Sequence, residues 1–209
     1  MQTNEGTGRR AANAARKEAA VRLAALELSE QRGFSAVSMA DIAQRSGVAE
    51  RTVFRTFGSK AGIFWHDPFL QRLVHHLDPA TAALDPLTAV SDAAATAARE
   101  MSRQDRDLEA RRRALILSEP DLMGVGTQSM GRNTGELARR ITPPDADAEQ
   151  QRRLSLFALF SAMALAFVRM DPAKPIDDWI TQLHDALSLA AFGPLTGYES
   201  PRERRHTSS

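Results

Sequence analysis

SMADIAQRSGVAERTVFRTFGSK, residues 38–60, predicts two short helices and the tight turn between them. Ser38 and Asp41 have the S-x-x-D spacing of a capping box, so the first helix is expected to begin just after Ser38. Gly47 can adopt the positive φ that ends a helix. A second helix is expected over residues 49–57. This pattern is typical of a helix-turn-helix, which places its second helix in the major groove of DNA.

The second helix has one apolar stripe and a polar remainder. Val53 and Phe57 lie four residues apart and are expected to face inward. The outward positions are Glu50, Arg51, Thr52, Arg55 and Thr56. An alternative is an ordinary amphipathic hairpin whose charges only solvate one face. The preceding segment favours the DNA-binding interpretation, because residues 16–32 form a longer amphipathic pattern that ends at Gly33 and completes a three-helix core.

Residues 33–64, GFSAVSMADIAQRSGVAERTVFRTFGSKAGIF, resemble the N-terminal domain of TetR-type transcriptional regulators. The resemblance rests on the joint pattern of G, I-A, G-V, T-x-F and F-x-S-K. It implies an N-terminal three-helix DNA-binding domain followed by a C-terminal helical domain that binds a ligand and dimerises. The residues of the whole chain predict an all-α fold of about nine helices. The implied DNA-binding residues are Ser38, Arg45, Ala49, Glu50, Arg51, Thr52, Phe54, Arg55, Thr56 and Lys60.

Within that set, Arg51 is the expected base contact, because a guanidinium can bind O6 and N7 of guanine together. The resemblance assigns Thr52 and Lys60 to phosphates. Three positions depart from the family pattern. Ala49 replaces the usual Ser or Thr and removes a side-chain N-cap, a loss of about 1 kcal/mol. Phe54 replaces a tyrosine and Thr56 a histidine, which changes the groups that can hold the DNA backbone.

Charge is concentrated at the N-terminal end of the chain. The whole chain carries +1, but residues 9–60 hold ten basic and five acidic residues, and residues 61–209 hold seventeen basic and twenty acidic. The positive end is the expected DNA end. Residues 1–12 are expected to be a disordered basic arm, in which Arg9 and Arg10 either contact DNA or are an idle tail.

Composition excludes several other classes of protein. The 209 residues are 43% hydrophobic and include no cysteine, which excludes disulfides and cysteine-ligated zinc. The apolar run at residues 154–168 is shorter than the ~20 residues of a membrane span, and the N-terminus lacks a signal-peptide pattern. These features predict a cytoplasmic protein with no membrane association.

Catalytic motifs are absent from the sequence. His75 and His76 are adjacent and therefore face different ways on a helix, and no metal-binding or phosphate-loop spacing occurs. The sequence therefore predicts no cofactor, no metal site and no enzyme. A helical enzyme with His75 or His76 as base is the weak alternative, and a DNA-binding protein that responds to no ligand is another.

The rest of the chain is predicted to be helical. Two domains and a tail are expected after the basic arm. We expect a DNA-binding domain at residues 13–58, an effector-binding and dimerisation domain at residues 59–192, and a disordered tail at residues 193–209. Further helices are expected over residues 59–77, 86–101, 108–118, 121–141, 146–170 and 175–192.

The last two predicted helices carry apolar stripes that predict a homodimer. The expected interface consists of Leu154, Phe157, Ser161, Leu165, Trp179, Leu183 and Leu187. The alternative is that the second stripe of residues 146–170 packs only within its own chain.

Large, deformable side chains in the C-terminal half predict an effector pocket. The expected lining is Phe64, Trp65, Leu73, Met123, Met130, Phe160, Met163 and Phe167, with plain core packing as the alternative. The sequence as a whole predicts a dimeric repressor that a small apolar or amphipathic effector releases from a palindromic operator on double-stranded DNA.

Overall fold

The computed structural model describes residues 3–192, of which residues 3–7, 11, 83, 123–130, 132, 133, 190 and 192 are described by their backbone alone. This part of the chain forms eleven α-helices and no strand, which confirms the all-α prediction. The helices are α1 (Thr3–Arg32), α2 (Met39–Ser46), α3 (Glu50–Phe57), α4 (Lys60–Trp65), α5 (Pro68–His76), α6 (Pro79–Leu84), α7 (Pro86–Arg99), α8 (Arg103–Ser118), α9 (Pro120–Ile141), α10 (Ala148–Phe167) and α11 (Ile176–Phe192).

The helix-turn-helix forms as the sequence predicts. The Ser38 side chain accepts a hydrogen bond from the Asp41 amide, and the Asp41 carboxylate accepts one from the Ser38 amide, so the capping box is complete. Gly47 ends α2 with φ of 67°, a left-handed conformation that costs little without a Cβ. Val48 is buried in the angle between α2 and α3.

Helix α1 is longer than expected. It begins at Thr3, so the predicted disordered arm over residues 1–12 is helical from Thr3 onward in this structure. The predicted tail, residues 193–209, lies outside the described residues.

The described residues contain two more helices than the nine predicted, because proline divides the chain more often than expected. Pro68 has no N–H to continue α4 and restricts the residue before it, so α4 and α5 are separate helices. The short α6 was not predicted. α5, α6 and α7 all begin at an Asp-Pro pair, in which the aspartate accepts a backbone N–H and the proline occupies the first turn.

The core has two parts that meet at α8 and α9. The first packs α1 to α4 together with Leu115, Ile116 and Leu122 from α8 and α9. The second packs α5, α7, α10 and α11 around Phe69, Leu165 and the far end of α9. Side chains from the C-terminal half therefore complete the core of the helix-turn-helix. No helix among residues 3–192 has the length and hydropathy of a membrane span.

Candidate DNA-binding surface and effector site

The outward side of α3 is an open polar face. Arg51 and Arg55 are exposed, Thr52 and Thr56 are partly buried, and the ring of Phe54 is 46% exposed between them. Ala49 makes no side-chain capping hydrogen bond, as its residue type predicts, and Glu50 lies in the first turn, where an acid is favourable beside the helix dipole. This short helix can therefore present its cations and hydroxyls to a groove.

A groove of about 310 Å³ separates α3 from the N-terminal half of α1. Arg10 and Lys17 line one wall, and Thr52, Arg55 and Thr56 line the other. Three cations thus border one concave surface beside the recognition helix. Such a surface can hold DNA phosphates, which dominate nucleic-acid affinity.

Ser38 and Arg45 lie beside this face but are engaged within the protein. The Ser38 hydroxyl donates to the Asp41 carboxylate at 2.5 Å. A guanidinium nitrogen of Arg45 lies 2.9 Å from the Glu27 carboxylate, which ties α2 to α1.

Lys60 has a structural position that sequence reasoning missed. Its Nζ donates to the carbonyl oxygens of Phe34 and Val37, both at 2.7 Å, and lies 4.2 Å from the centre of the Phe34 ring. Burial lowers the pKa of Lys60, and the Asp121 carboxylate opposes that change. The ammonium therefore fixes the loop between α1 and α2 rather than pointing to solvent beside α3.

The residues predicted to line an effector pocket do not come together. Phe64 lines a cavity, whereas Leu73 is fully buried in the second core and Phe160 and Met163 are 49% and 38% exposed. Leu73, Phe160 and Met163 therefore do not line this cavity, because Leu73 belongs to the second core and one apolar side of α10 faces solvent. The predicted pocket stays a prediction.

Two other predicted pocket residues, Trp65 and Phe167, pack against each other where α4, α9 and α10 meet. Trp65 is buried, its indole Nε1 donates to the Leu122 carbonyl at 3.0 Å, and its ring meets Phe167 edge to face at 6.4 Å. The side chains of Met123 and Met130 lie outside those that the structure describes.

A cavity of about 280 Å³ lies elsewhere, between α1, the α4–α5 corner and α8. Its apolar wall consists of Leu23, Leu26, Phe64, Phe69, Met101 and Leu108. Its polar wall consists of Arg22, Arg72, Gln104, Asp105, Glu109 and Arg112. This cavity borders both the DNA-binding helices and the C-terminal half.

Behind the cavity lies an ion cluster, here meaning Asp67, Glu109, Arg112 and Arg113, whose side chains are all at most 9% exposed. Glu109 receives hydrogen bonds from Arg112 Nε at 2.9 Å and from Arg113 Nε at 2.6 Å. Asp67 lies 3.1 Å from Arg112. Two positive and two negative charges therefore compensate one another out of water.

Both arginines of the ion cluster also satisfy carbonyl groups at helix ends. Arg112 donates to the Phe64 carbonyl at 2.7 Å, in the last turn of α4. Arg113 donates to the carbonyls of Leu165 and Val168, where α10 ends. The last carbonyls of a helix have no partner within it, and cations are favourable there. α8 thus holds the ends of two other helices.

The protonation of Glu109 follows from its partners. Burial would raise the pKa of Glu109, but Arg112 and Arg113 outweigh burial and lower it to about 2. The carboxylate is therefore charged at neutral pH. Burial also lowers the pKa of His66 beneath its usual value, helped by the Arg22 charge, so the neutral imidazole is favoured there.

The residues predicted to form the dimer interface lie in the protomer's own core. Ser161, Leu165, Trp179, Leu183 and Leu187 are at most 3% exposed, and Leu154 and Phe157 pack partly buried against them. Within one protomer these residues belong to the core, and the predicted interface stays a prediction. Two stripes of equal apolarity on α10 do not show from sequence which one faces the protomer's own core. The exposed stripe is Leu156, Phe160 and Met163, and Leu189 on α11 is also exposed.

Besides the hydrogen bond from Arg112 to the Phe64 carbonyl, three side-chain contacts join the C-terminal half to the segment from α1 to α4. Arg111 on α8 makes a two-pronged ion pair with Glu30 on α1, at 3.0 and 2.6 Å. Ser35, in the loop before α2, donates to the Asp121 carboxylate on α9 at 2.9 Å. The third contact is the indole hydrogen bond between α4 and α9 described above.

The described residues contain no group of three or more His, Asp or Glu side chains that could hold a metal ion. His76 pairs with the exposed Glu100 at 2.7 Å, and the two adjacent imidazoles lie on an open surface depression.

A family model described as "Bacterial regulatory proteins, tetR family" matches residues 22–65. One relative is MftR of Mycobacterium tuberculosis, which is described as a transcriptional regulator of mycofactocin biosynthesis. It is 40% identical to this chain over 70 residues. That alignment covers 31% of this chain and 35% of the relative, so this chain spans about a third of the curated relative's length.

Similar solved structures include a TetR-family regulator from Streptomyces coelicolor A3, with a TM-score of 0.43 and 20% identity over 85% of this chain and 95% of the other. Another is Thermus thermophilus FadR in complex with lauroyl-CoA, with a TM-score of 0.43 and 18% identity over 88% of this chain and 97% of the other. The family match falls on the helices that build the open α3 face, and its members are regulators rather than enzymes. Residues 22–65 are thus similar to the tetR family of bacterial regulatory proteins.

Proposed function

We propose that this chain binds a roughly palindromic DNA site as a homodimer and represses transcription until a small effector releases it. The observation that carries the proposal is the open outward face of α3, with Arg51, Arg55 and Phe54 exposed on a helix whose inner face is buried. A helix of eight residues that exposes two guanidiniums gains little stability from them, which favours a role in recognition.

In this proposal the contacts with DNA divide into two kinds. Arg51 contacts a base edge. Phosphates are bound by Thr52 and by the three cations of the groove, Arg10, Lys17 and Arg55. Direct readout depends on the side chain at one position of α3. Phosphate binding is shared over α1 and α3, so the loss of a single cation weakens every DNA sequence alike.

The proposed dimer uses the exposed stripe of α10. Leu156, Phe160 and Met163 follow one another at helical spacing on the solvent side of that helix. Exposed apolar side chains that form a contiguous row are typical of interaction sites. Pairing of two copies across this row gives a two-fold axis, and two-fold symmetry places recognition helices on half-sites about 34–36 Å apart.

Release by an effector requires that the C-terminal half moves the DNA-binding helices. The Arg111–Glu30 ion pair and the Ser35–Asp121 hydrogen bond supply such a connection, because each joins α8 or α9 to the helix-turn-helix. An effector that favours one arrangement of α8 changes the spacing of the two α3 helices. We retain the division into a DNA-binding domain at residues 13–58 and an effector and dimerisation domain at residues 59–192, and a cytoplasmic location, as parts of this proposal.

The test is selection of fragments of the source genome by the purified chain, followed by gel retardation of the selected fragment. We expect one or a few fragments with an inverted repeat, and retardation that a small molecule reverses. Arg51→Ala should relax sequence preference and cost about 1–3 kcal/mol. Arg139→Ala, which removes an arginine on α9 that is 73% exposed, is the matched control. Equal selectivity of the Arg51 variant and the wild type would refute the assignment of α3.

A further inference from the structure

We infer that the cavity between α1, the α4–α5 corner and α8 binds a small anionic amphipathic molecule, with its charged end on the guanidinium of Arg22. This inference rests on the proposed function and deepens it, since it names the place and the chemistry of the effector. The cavity holds about 280 Å³, the volume of about nine water molecules at ~30 Å³ each. That space suits a short carboxylic acid rather than a large cofactor.

The cavity wall carries one guanidinium, that of Arg22, with which no acid among the described residues forms an ion pair. The ion cluster behind the wall is neutral, because Asp67 and Glu109 compensate Arg112 and Arg113. Arg22 adds one positive charge on the wall, and its Nε is buried without a hydrogen-bond partner among the described residues. A buried donor that stays unpaired costs free energy, and more so when it is charged.

Neither of two nearby acids forms an ion pair with Arg22. Asp105 lies 3.4 Å from Arg72 and also caps α8, and Glu18 lies 3.5 Å from the imidazole of His66. Burial and the neighbouring Arg112 lower the pKa of Arg22, and the charges of Glu109, Asp67 and Glu18 offset this only in part. A ligand carboxylate can accept hydrogen bonds from the Arg22 guanidinium in the bidentate geometry that this pair favours.

The remaining lining of the cavity includes apolar side chains that fit a hydrocarbon tail. Leu23, Leu26, Phe64 and Leu108 contribute aliphatic and aromatic surface, and Met101 adds a side chain that adapts to guests of different shape. The guanidinium and the apolar lining together favour an amphipathic molecule. A purely polar guest would contact the apolar side chains unfavourably, and a purely apolar guest would leave the guanidinium without a partner.

The position of the cavity also explains how occupancy would reach the DNA-binding face. α1 contributes Arg22, Leu23 and Leu26 to the cavity and continues to Glu30, whose partner Arg111 lies on the opposite wall helix α8. A guest between α1 and α8 therefore changes the separation of the two helices that this ion pair joins. α1 also packs against α2, so the change is transmitted to the recognition helix.

Calorimetric titration with octanoate and with octan-1-ol tests the inference directly on the full chain without DNA. We expect octanoate to bind and to bind more tightly than the alcohol. Arg22→Gln should weaken octanoate by about 10- to 100-fold, the range expected for one charge-assisted contact, and leave the alcohol nearly unchanged. Arg16→Gln, which removes an exposed cation from the same helix outside the cavity, should change neither. Leu23→Trp, which fills the cavity, should weaken both.

Absence of octanoate binding to the folded wild type would overturn the inference, and so would equal weakening of acid and alcohol by Arg22→Gln. Gel retardation with the selected DNA fragment, run on the same preparations, separates the two proposals. A chain that binds its DNA but not octanoate refutes only the cavity inference. A chain that binds octanoate through Arg22 but selects no DNA refutes only the proposed function.

Discussion

Glu109→Gln is the substitution whose effect on stability the structure predicts most sharply. The change keeps the shape of the side chain but removes the negative charge that Arg112 and Arg113 share at 2.6 Å each. Both guanidiniums would then stay buried with only Asp67 to compensate them. Breaking a buried ion pair in this way costs about 3–5 kcal/mol. For a chain of this size, that corresponds to a fall in Tm of roughly 6–20 °C.

The chain itself supplies the control, because the pattern E-x-x-R-R occurs three times. Glu136 precedes Arg139 and Arg140, and Glu149 precedes Arg152 and Arg153, with the same ion pairs along an exposed helix face. The Glu149 side chain is 50% exposed, so Glu149→Gln should cost about 0–1 kcal/mol. Urea unfolding of the two variants and the wild type measures both costs.

The pH dependence provides a second measurement of the same group. The pKa of Glu109 falls from its ordinary 4.5 to about 2 on folding, which is worth about 3 kcal/mol above pH 4.5. That contribution is lost as pH falls from 4.5 towards 2, so the wild type and Glu109→Gln should converge in this window. His66, whose pKa is lowered on folding, destabilises both proteins on acidification and cancels in the difference. Equal stability of the Glu109 and Glu149 variants at pH 7 would refute the reasoning.

The other predictions concern the helix-turn-helix and the dimer. Gly62→Ala places a Cβ 2.1 Å from a backbone carbonyl oxygen at the end of α3 and should cost about 1–3 kcal/mol by thermal unfolding, whereas Gly135→Ala meets open space and should not destabilise. Lys60→Met should lower stability by about 1–3 kcal/mol and leave the salt dependence of DNA binding unchanged, and a slope smaller by about 1 would instead assign Lys60 to a phosphate. Phe160→Glu should give a folded monomer by light scattering, while Leu183→Glu should unfold the chain; a dimeric Phe160 variant would contradict the proposed interface.

Local signals in the sequence were sufficient for the helix-turn-helix. The capping box at Ser38, the glycine turn at Gly47 and the missing cap at Ala49 each act within a few residues, and the structure has all three as expected. The separation of α4 and α5 also has a local cause, the Asp67-Pro68 pair, but one continuous helix over residues 59–77 was predicted there. Such features can be read from sequence because neighbouring residues alone determine them.

Features that depend on distant packing could not be read in the same way. The three E-x-x-R-R segments are alike in sequence. Only tertiary packing buries Glu109 and leaves Glu136 at the surface. The two stripes of α10 are equally apolar, so periodicity could not tell which one faces Trp179 and which one faces solvent. The sequence shows Arg22 only as a cation on an amphipathic helix, and the packing of α8 against α1 makes it part of a cavity wall.

The buried charges of α8 are explained by the helix ends that surround them. Proline after α4 and the end of α10 leave carbonyl groups inside the molecule, where water cannot reach them. Arg112 and Arg113 bring donors to those carbonyls, and Glu109 and Asp67 compensate the charges that come with the donors. A hydrophobic replacement would fill the space but leave the carbonyls without partners.

The groups of this network come from α4, α5, α8 and α10, so any movement of α8 must exchange several hydrogen bonds together. This favours discrete arrangements over gradual deformation. A small anion bound in the cavity beside α8, at the Arg22 guanidinium whose Nε has no partner among the described residues, would favour one of these arrangements over the others.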